Sequence, residues 1–233
     1  MKLLLCSDFY GVGINYLDRF FDGFDGKNCL FVGYASEKDE SMFESRVKDK
    51  LLGLGFNIVD LTPDYKFKDK IDMIYSRGGN ATKVLHLLKK YDQFEKVREL
   101  VEKQDVVYVG QSAGALIAGS DTEWTLRSEP YDFDLKSIYG KNALAGFGWV
   151  DKMIFVHASK YRMPWDDEFF EGSQNWRILN KEFYGDYLRD LKLYKKGTYI
   201  TLGNNQMLFQ NGGKETQKVL TFDWSKIPVY KQK

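Results

Sequence analysis

The chain has 233 residues, enough for one large α/β domain, and 1–233 reads as a single unit. Its 34 Lys and Arg against 33 Asp and Glu leave no field that would draw nucleic acid or an anionic membrane, so the expected partner is a short peptide or small molecule. Cys6 and Cys29 sit in apolar runs without C-x-x-C spacing and read as buried thiols. The apolar run Leu3–Leu5 is too short for a signal-peptide core or a membrane span, and a soluble cytoplasmic protein is expected.

Leu3 to Ser7 reads as a first buried strand, and a helix is expected through Tyr16, Leu17, Phe20 and Phe21. Asn28 to Tyr34 is the next apolar run. From Asp39 to Leu54, Phe43, Val47, Leu51 and Leu54 recur at helical spacing; Gly55 closes that helix and Phe56 to Leu61 supplies a third strand. The Lys-rich loop around Pro63 reads as solvated. Met73 to Ser76 is a short strand, and Arg77-Gly78-Gly79-Asn80 separates it from a helix beginning near Thr82. Two glycines there expose backbone amides at the sheet's carboxyl edge, although the phosphate-binding spacings G-x-x-x-x-G-K and G-x-G-x-x-G are both missing. His86 reads as a helix-face residue, and a helix from Phe94 to Val101 leads into the next strand.

That strand, Val106 to Val109, runs into Gly110-Gln111-Ser112-Ala113-Gly114, and Ala113 to Ala118 favour a helix. A G-x-S-x-G turn between strand and helix is the layout of a nucleophile elbow: Ser112 exposed at a strand's carboxyl end, the amide of Ala113 available to an oxyanion. The competing reading is a tight turn whose serine only caps the helix. Five apolar strands alternating with helices predict a mainly parallel α/β sheet, whose ligands collect at the carboxyl ends of the strands. Ser120 to Tyr139 reads as a long acidic loop or small hairpin. Met153 to Val156 is a strand ending on His157, Ile178 to Tyr194 has a helical pattern, and Thr198 to Leu202, Gln206 to Gln210 and Lys218 to Phe222 read as closing strands.

A serine hydroxyl needs a base within hydrogen-bond reach, and that base an orienting group. Of the two histidines, His157 stands at a strand end and is the expected base for Ser112. Position leaves the acid open among Asp121, Glu123, Glu129, Asp132 and Asp134. The order Ser, acid, His is shared with the α/β-hydrolases, but their histidine lies near the C-terminus, several βα units on, and here it follows too soon.

Gly78-Gly79-Asn80 after one strand, Gly110-Gln111-Ser112-Ala113-Gly114-Ala115 after the next, and the strand-terminal His157 together resemble the peptidase E family. This serine peptidase family, S51, includes aspartyl dipeptidases and is related to cyanophycinases. The similarity runs from the first strand through Ala35-Ser36 and the elbow to the Gly203-Asn204-Asn205 turn. The resemblance implies a three-layer α/β fold like that of class I glutamine amidotransferases, with serine in place of the nucleophilic cysteine. It implies Ser112 as nucleophile, His157 as general base and Glu129 as acid, with Glu123 and Asp132 behind it. The amides of Gly79 and Ala113 become the oxyanion hole. Asn80 holds the glycine loop and joins Arg162 as a candidate substrate contact, alongside Arg127 and Lys160. The implied activity is a serine exopeptidase, dipeptidase-like, acting on short peptides with an acidic N-terminal residue as the candidate preference, and needing no metal or cofactor. The alternative is a catalytically silent peptide- or small-molecule-binding relative on the same scaffold.

Overall fold

The structure is a computed structural model that describes residues 1–7, 9, 13–34, 41–123, 125, 135–157, 199–203 and 206–221. Its elements are β1 (Lys2–Cys6), a 3-10 helix (Gly13–Arg19), β2 (Asn28–Val32), α1 (Ser41–Gly53), β3 (Asn57–Asp60), β4 (Met73–Ser76), α2 (Ala81–Lys90) and α3 (Phe94–Lys103). They continue with β5 (Val107–Gln111), α4 (Ala113–Leu116), α5 (Leu135–Tyr139), β6 (Met153–Phe155), β7 (Tyr199–Thr201), β8 (Gln206–Asn211) and β9 (Lys218–Thr221). Seven strands form one sheet in the order β3-β2-β4-β5-β1-β8-β9. The first five run parallel, and β8 and β9 close the far edge antiparallel.

Strands buried on both faces need continuous apolar sequence, and β1, β2, β4 and β5 have it. Alternate residues then serve opposite layers. Leu3, Leu5, Leu30, Ile74 and Tyr108 share a core with Val84 and Leu85 of α2, Val97 and Val101 of α3 and Ala115 of α4. Leu4, Cys6, Cys29, Phe31, Tyr75 and Val109 face the other way, against Val47 and Leu51 of α1 and Ile14 and Leu17 of the 3-10 helix. The result is the expected three-layer arrangement. Each fully buried Leu or Val stabilises it by roughly 1.5–3 kcal/mol relative to leaving the side chain exposed. Both cysteines are buried free thiols, and desolvation drives the Cys29 thiol far up. No helix among the described residues is long and apolar enough to cross a membrane.

Gly55 ends α1 in the left-handed region at φ 103°. Its N–H donates to the Leu52 carbonyl and that of Phe56 to Leu51, so two carbonyls of the last turn are satisfied as the chain enters β3.

Three elements depart from the sequence reading. The segment through Tyr16 to Arg19 is 3-10, not α. β6 does not join the main sheet; it pairs in parallel with β7, which alternation along a three-residue strand cannot reveal. The stretch read as a loop or hairpin contains α5, with Leu135 buried beside Ala143 and Leu144, and Asp121 makes an isolated antiparallel bridge with Ala145. The helical pattern at Ile178 to Tyr194 lies outside the described residues.

The segment from α5 to Ala145 is fastened to α2. The Lys89 ammonium donates to the carbonyls of Asn142 (3.1 Å) and Ala143 (2.7 Å), and burial holds its pKa down. One turn earlier His86 is buried, not displayed on the helix surface, and its Nδ1 lies 3.1 Å from the Tyr139 hydroxyl. Desolvation, with Lys90 nearby, lowers the His86 pKa below its ordinary 6.5. The folded state therefore favours neutral imidazole. Its contribution is fully present above pH 6.5 and is lost as pH falls through the depressed folded value. Urea unfolding between about pH 7.5 and 5 is expected to show stability falling more steeply in the wild type than in His86→Gln; parallel slopes would contradict the assignment.

Candidate active site

Register brings three strand ends to one edge. Cys6 stands opposite Gln111 in the β1–β5 pair, and Ser76 opposite Gly110 in the β4–β5 pair. The residues that follow, Ser7, Arg77-Gly78-Gly79 and Ser112, therefore emerge side by side. Because β8 runs antiparallel, Met207 at its start also pairs with Cys6, which brings Leu202 and Gly203 to the same edge.

The elbow is built by close approach. A Cβ on Gly114 would stand 2.1 Å from the Ser76 carbonyl oxygen, and one on Gly110 would stand 2.6 Å from the Gly114 carbonyl oxygen, so neither position admits a side chain without backbone movement. The Tyr108 hydroxyl, buried, donates to that Gly114 carbonyl at 2.8 Å, and the Tyr75 hydroxyl donates to Gln111 Oε1. Between these supports Ser112 takes φ 47° and ψ −108°, a conformation that costs a non-glycine residue on the order of 1–3 kcal/mol. Its N–H donates to the Cys6 carbonyl at 2.8 Å and its own carbonyl accepts from Leu116 at 3.0 Å.

Ser112 occupies the N-cap position of α4 but makes no side-chain cap hydrogen bond. Its Oγ instead lies 3.0 Å from His157 Nε2. The serine and the histidine that the sequence suggested are thus brought together, from the end of β5 and from just beyond β6. His157 is itself in the left-handed region at φ 57°, and its N–H donates to Ser7 Oγ at 3.0 Å.

The glycine loop lies directly against the serine. A Cβ on Gly78 would be 3.1 Å from Ser112 Cβ, and Gly79 has φ 125°, which a side chain would resist. Asn80 Oδ1 accepts from the Lys83 N–H at 2.8 Å as the N-cap of α2, which fixes the loop's exit. At its entrance Arg77 is buried, and its guanidinium donates to Glu44 of α1 at 3.0 Å. Glu44 also pairs with Lys48 at 2.9 Å, and Lys48 with Asp60 at 2.6 Å, a chain of charges that ties the loop's first residue to α1 and β3. Nothing in the spacing of the charged residues of α1 points to Arg77 as the partner of Glu44.

Among the candidate acids, Glu123 is exposed and paired with Lys136 at 2.9 Å, and Asp121 accepts from the Glu123 N–H, with burial raising its pKa. Glu129, Asp132 and Asp134 lie outside the described residues, as do Arg127, Lys160, Arg162, Asn204 and Asn205. No group of three or more potential metal-ligating side chains occurs among the described residues.

The arrangement offers a hydroxyl on a strained turn, an imidazole nitrogen within hydrogen-bond reach of it, and the backbone of a glycine loop and of a helix start beside the serine. That is a geometry for attack on a carbonyl.

Comparison with known proteins agrees. The model of peptidase family S51 matches residues 12–217. A stretch of 126 residues, 51% of the chain, is 33% identical to a Drosophila melanogaster protein named "Probable alpha-aspartyl dipeptidase", covering 52% of it. A stretch of 98 residues, 40% of the chain, is 35% identical to "Peptidase E" of Shewanella amazonensis (strain ATCC BAA-1098 / SB2B), covering 41% of it. The chain thus spans about half the length, or less, of these curated relatives. In fold it is similar to the crystal structure of a "Putative Peptidase E Protein" from Listeria monocytogenes EGD-e, with a TM-score of 0.69 and 20% identity over 95% of this chain and 98% of that one.

The two glycine contacts separate in a stability measurement. Gly114→Ala forces backbone apart and is expected to cost roughly 1–3 kcal/mol or more in urea unfolding, whereas a Cβ at Gly78 would stand 3.1 Å from Ser112 Cβ, a shortfall of only tenths of an ångström, and Gly78→Ala should cost less. Equal losses would show that the elbow is not the tighter of the two.

Proposed function

Because the chain belongs to peptidase family S51, we propose that it is a serine exopeptidase, dipeptidase-like, that hydrolyses short peptides through an acyl-enzyme. The single observation that carries this reading is the 3.0 Å approach of Ser112 Oγ to His157 Nε2 on a strained elbow. A scaffold retained only for binding has no need to hold that pair in contact.

In this mechanism His157 Nε2 accepts the Ser112 proton as Oγ attacks the scissile carbonyl. Negative charge on the carbonyl oxygen is met by the amides of Gly79 and Ala113. The Ser112 amide is already committed to Cys6, whereas Ala113, opening α4, has no acceptor within its helix. Collapse of the tetrahedral species breaks the C–N bond, and the leaving amine takes the proton from His157. Water, deprotonated by His157, then resolves the ester and restores the Ser112 hydroxyl. Glu129 orients the imidazole, the role that the resemblance to the family implies for it. Asn80, through its amide nitrogen, and Arg162 contact the substrate.

Preference for an acidic N-terminal residue is supported by the name of the Drosophila relative. The near balance of 34 Lys and Arg against 33 Asp and Glu supports a short peptide over a polyanion as substrate.

A fluorophosphonate probe is expected to label Ser112, and Ser112→Ala to lower kcat on an Asp-X dipeptide panel by on the order of 10³-fold or more. Labelling elsewhere with undiminished hydrolysis by Ser112→Ala would end this reading; a folded, unlabelled protein inert towards every peptide would favour the silent relative.

A further inference from the structure

The end of β1 touches both members of the Ser112–His157 pair. Cys6 contributes its carbonyl to the Ser112 N–H at 2.8 Å, and the next residue, Ser7, meets the His157 N–H at 3.0 Å. Ser7 is 1% exposed, and its hydroxyl also lies 2.7 Å from the Leu202 carbonyl oxygen. A hydroxyl has one proton, and the Leu202 oxygen can only accept, so the proton goes there and a lone pair is left facing the His157 N–H. The Leu202 N–H in turn donates to the Phe155 carbonyl at 2.7 Å, which continues the β6–β7 pairing one residue past the end of β7. Ser7 is therefore the junction at which the small β6–β7 sheet is joined to the large sheet, at the residue whose imidazole faces Ser112.

We propose that Ser7 is a positioning residue: its buried hydroxyl holds the His157 backbone in the left-handed conformation that keeps Nε2 against Ser112 Oγ. Several observations combine. His157 at φ 57° is in a conformation that a β-carbon disfavours, so it needs an external hold. The hold is a directional hydrogen bond from a residue fixed in the core strand next to β5. The same hydroxyl ties down Leu202, so neither side of the junction can move alone. Removing it takes away the hydrogen-bond partner of the part-buried His157 N–H and of the buried Leu202 carbonyl together, and the cheapest relief is for His157 to relax to negative φ and swing its ring away from the serine. Displacement of about 1 Å at such a pair can cost on the order of 10²-fold in rate.

This inference rests on the reading of Ser112 and His157 as nucleophile and base, and one experiment separates the two. Ser7→Ala, Ser7→Thr and Ser112→Ala are assayed on the dipeptide that the wild type cleaves best, with thermal melts to confirm folding. The His157 ring is followed by NMR titration, which is tractable because the chain has only two histidines. Ser7→Ala is expected to lower kcat by about 10- to 100-fold with KM nearly unchanged, and to displace the His157 ring titration and the pH profile of kcat together. Ser7→Thr, which keeps the hydroxyl, is expected to recover most of the rate and the wild-type titration. A folded Ser7→Ala protein with wild-type kcat and an unmoved His157 titration would overturn the proposal, even if Ser112→Ala is inactive. Full activity of Ser112→Ala would instead overturn the functional reading beneath it. Should Ser7→Ala not fold, Ser7→Cys, nearly isosteric and a poor hydrogen-bond partner, is judged by the same criteria.

Discussion

The close approach of β4, β5 and α4 is the constraint on which the rest of this structure depends. Gly114 passes so near the Ser76 carbonyl that an added Cβ would lie 2.1 Å from it, and Gly110 is crowded in turn by Gly114. Only with both side chains absent can the chain leave a fully buried strand and start a helix within one residue. That one residue is Ser112, forced to positive φ with its hydroxyl projecting away from the core. A serine in a relaxed turn could satisfy itself on the backbone of the following helix; here the strain denies it that partner, and the hydroxyl meets His157 instead. Backbone strain is thus converted into side-chain placement, at a cost that the large apolar core beneath can carry.

The second half of the pair depends on a different device. β6 and β7 stand apart from the main sheet, so the register of the sheet does not locate His157. Its position is set by hydrogen bonds: His157 to Ser7, Ser7 to Leu202, Leu202 to Phe155. The glycine loop against the serine is held by the Asn80 cap at its exit and by Arg77 with Glu44 at its entrance. The glycine loop is therefore anchored to both helical layers, to α1 through Arg77 and to α2 through Asn80, while His157 is anchored to the end of β1 through Ser7. The glycine loop, Ser112 and Ser7 meet only because β1, β4 and β5 are neighbours whose ends are level.

Much of this was legible in the sequence. The four central strands announce themselves as unbroken apolar runs, and α2 and α3 through their periodicity. The elbow is readable because the two glycines and the serine are adjacent in sequence and their spacing is the geometry. His157 was legible by elimination, since the chain has one other histidine and that one lies in a helix. What escaped was long-range pairing. Nothing in Met153-Ile154-Phe155 tells which strand it joins, and although Ser7 reads as the end of a buried strand, as it is, nothing in the sequence says that its hydroxyl meets His157 and Leu202. His86 likewise reads as no more than a helix-face residue, because the partner that buries it, Tyr139, lies 53 positions away in a helix too short for periodicity to reveal. For Glu129 and Arg162 the resemblance supplies a place in the chain but no geometry.

The proposal that Ser112 and His157 act as one catalytic unit is tested most directly by the kcat of Ser112→Ala, His157→Ala and the double variant on a single dipeptide substrate. Residues that serve one proton transfer lose their function together, so each single change is expected to cost on the order of 10³-fold or more and the double change no more than the larger single one. Losses that multiply in the double variant, or a His157→Ala protein that keeps wild-type kcat, would contradict it.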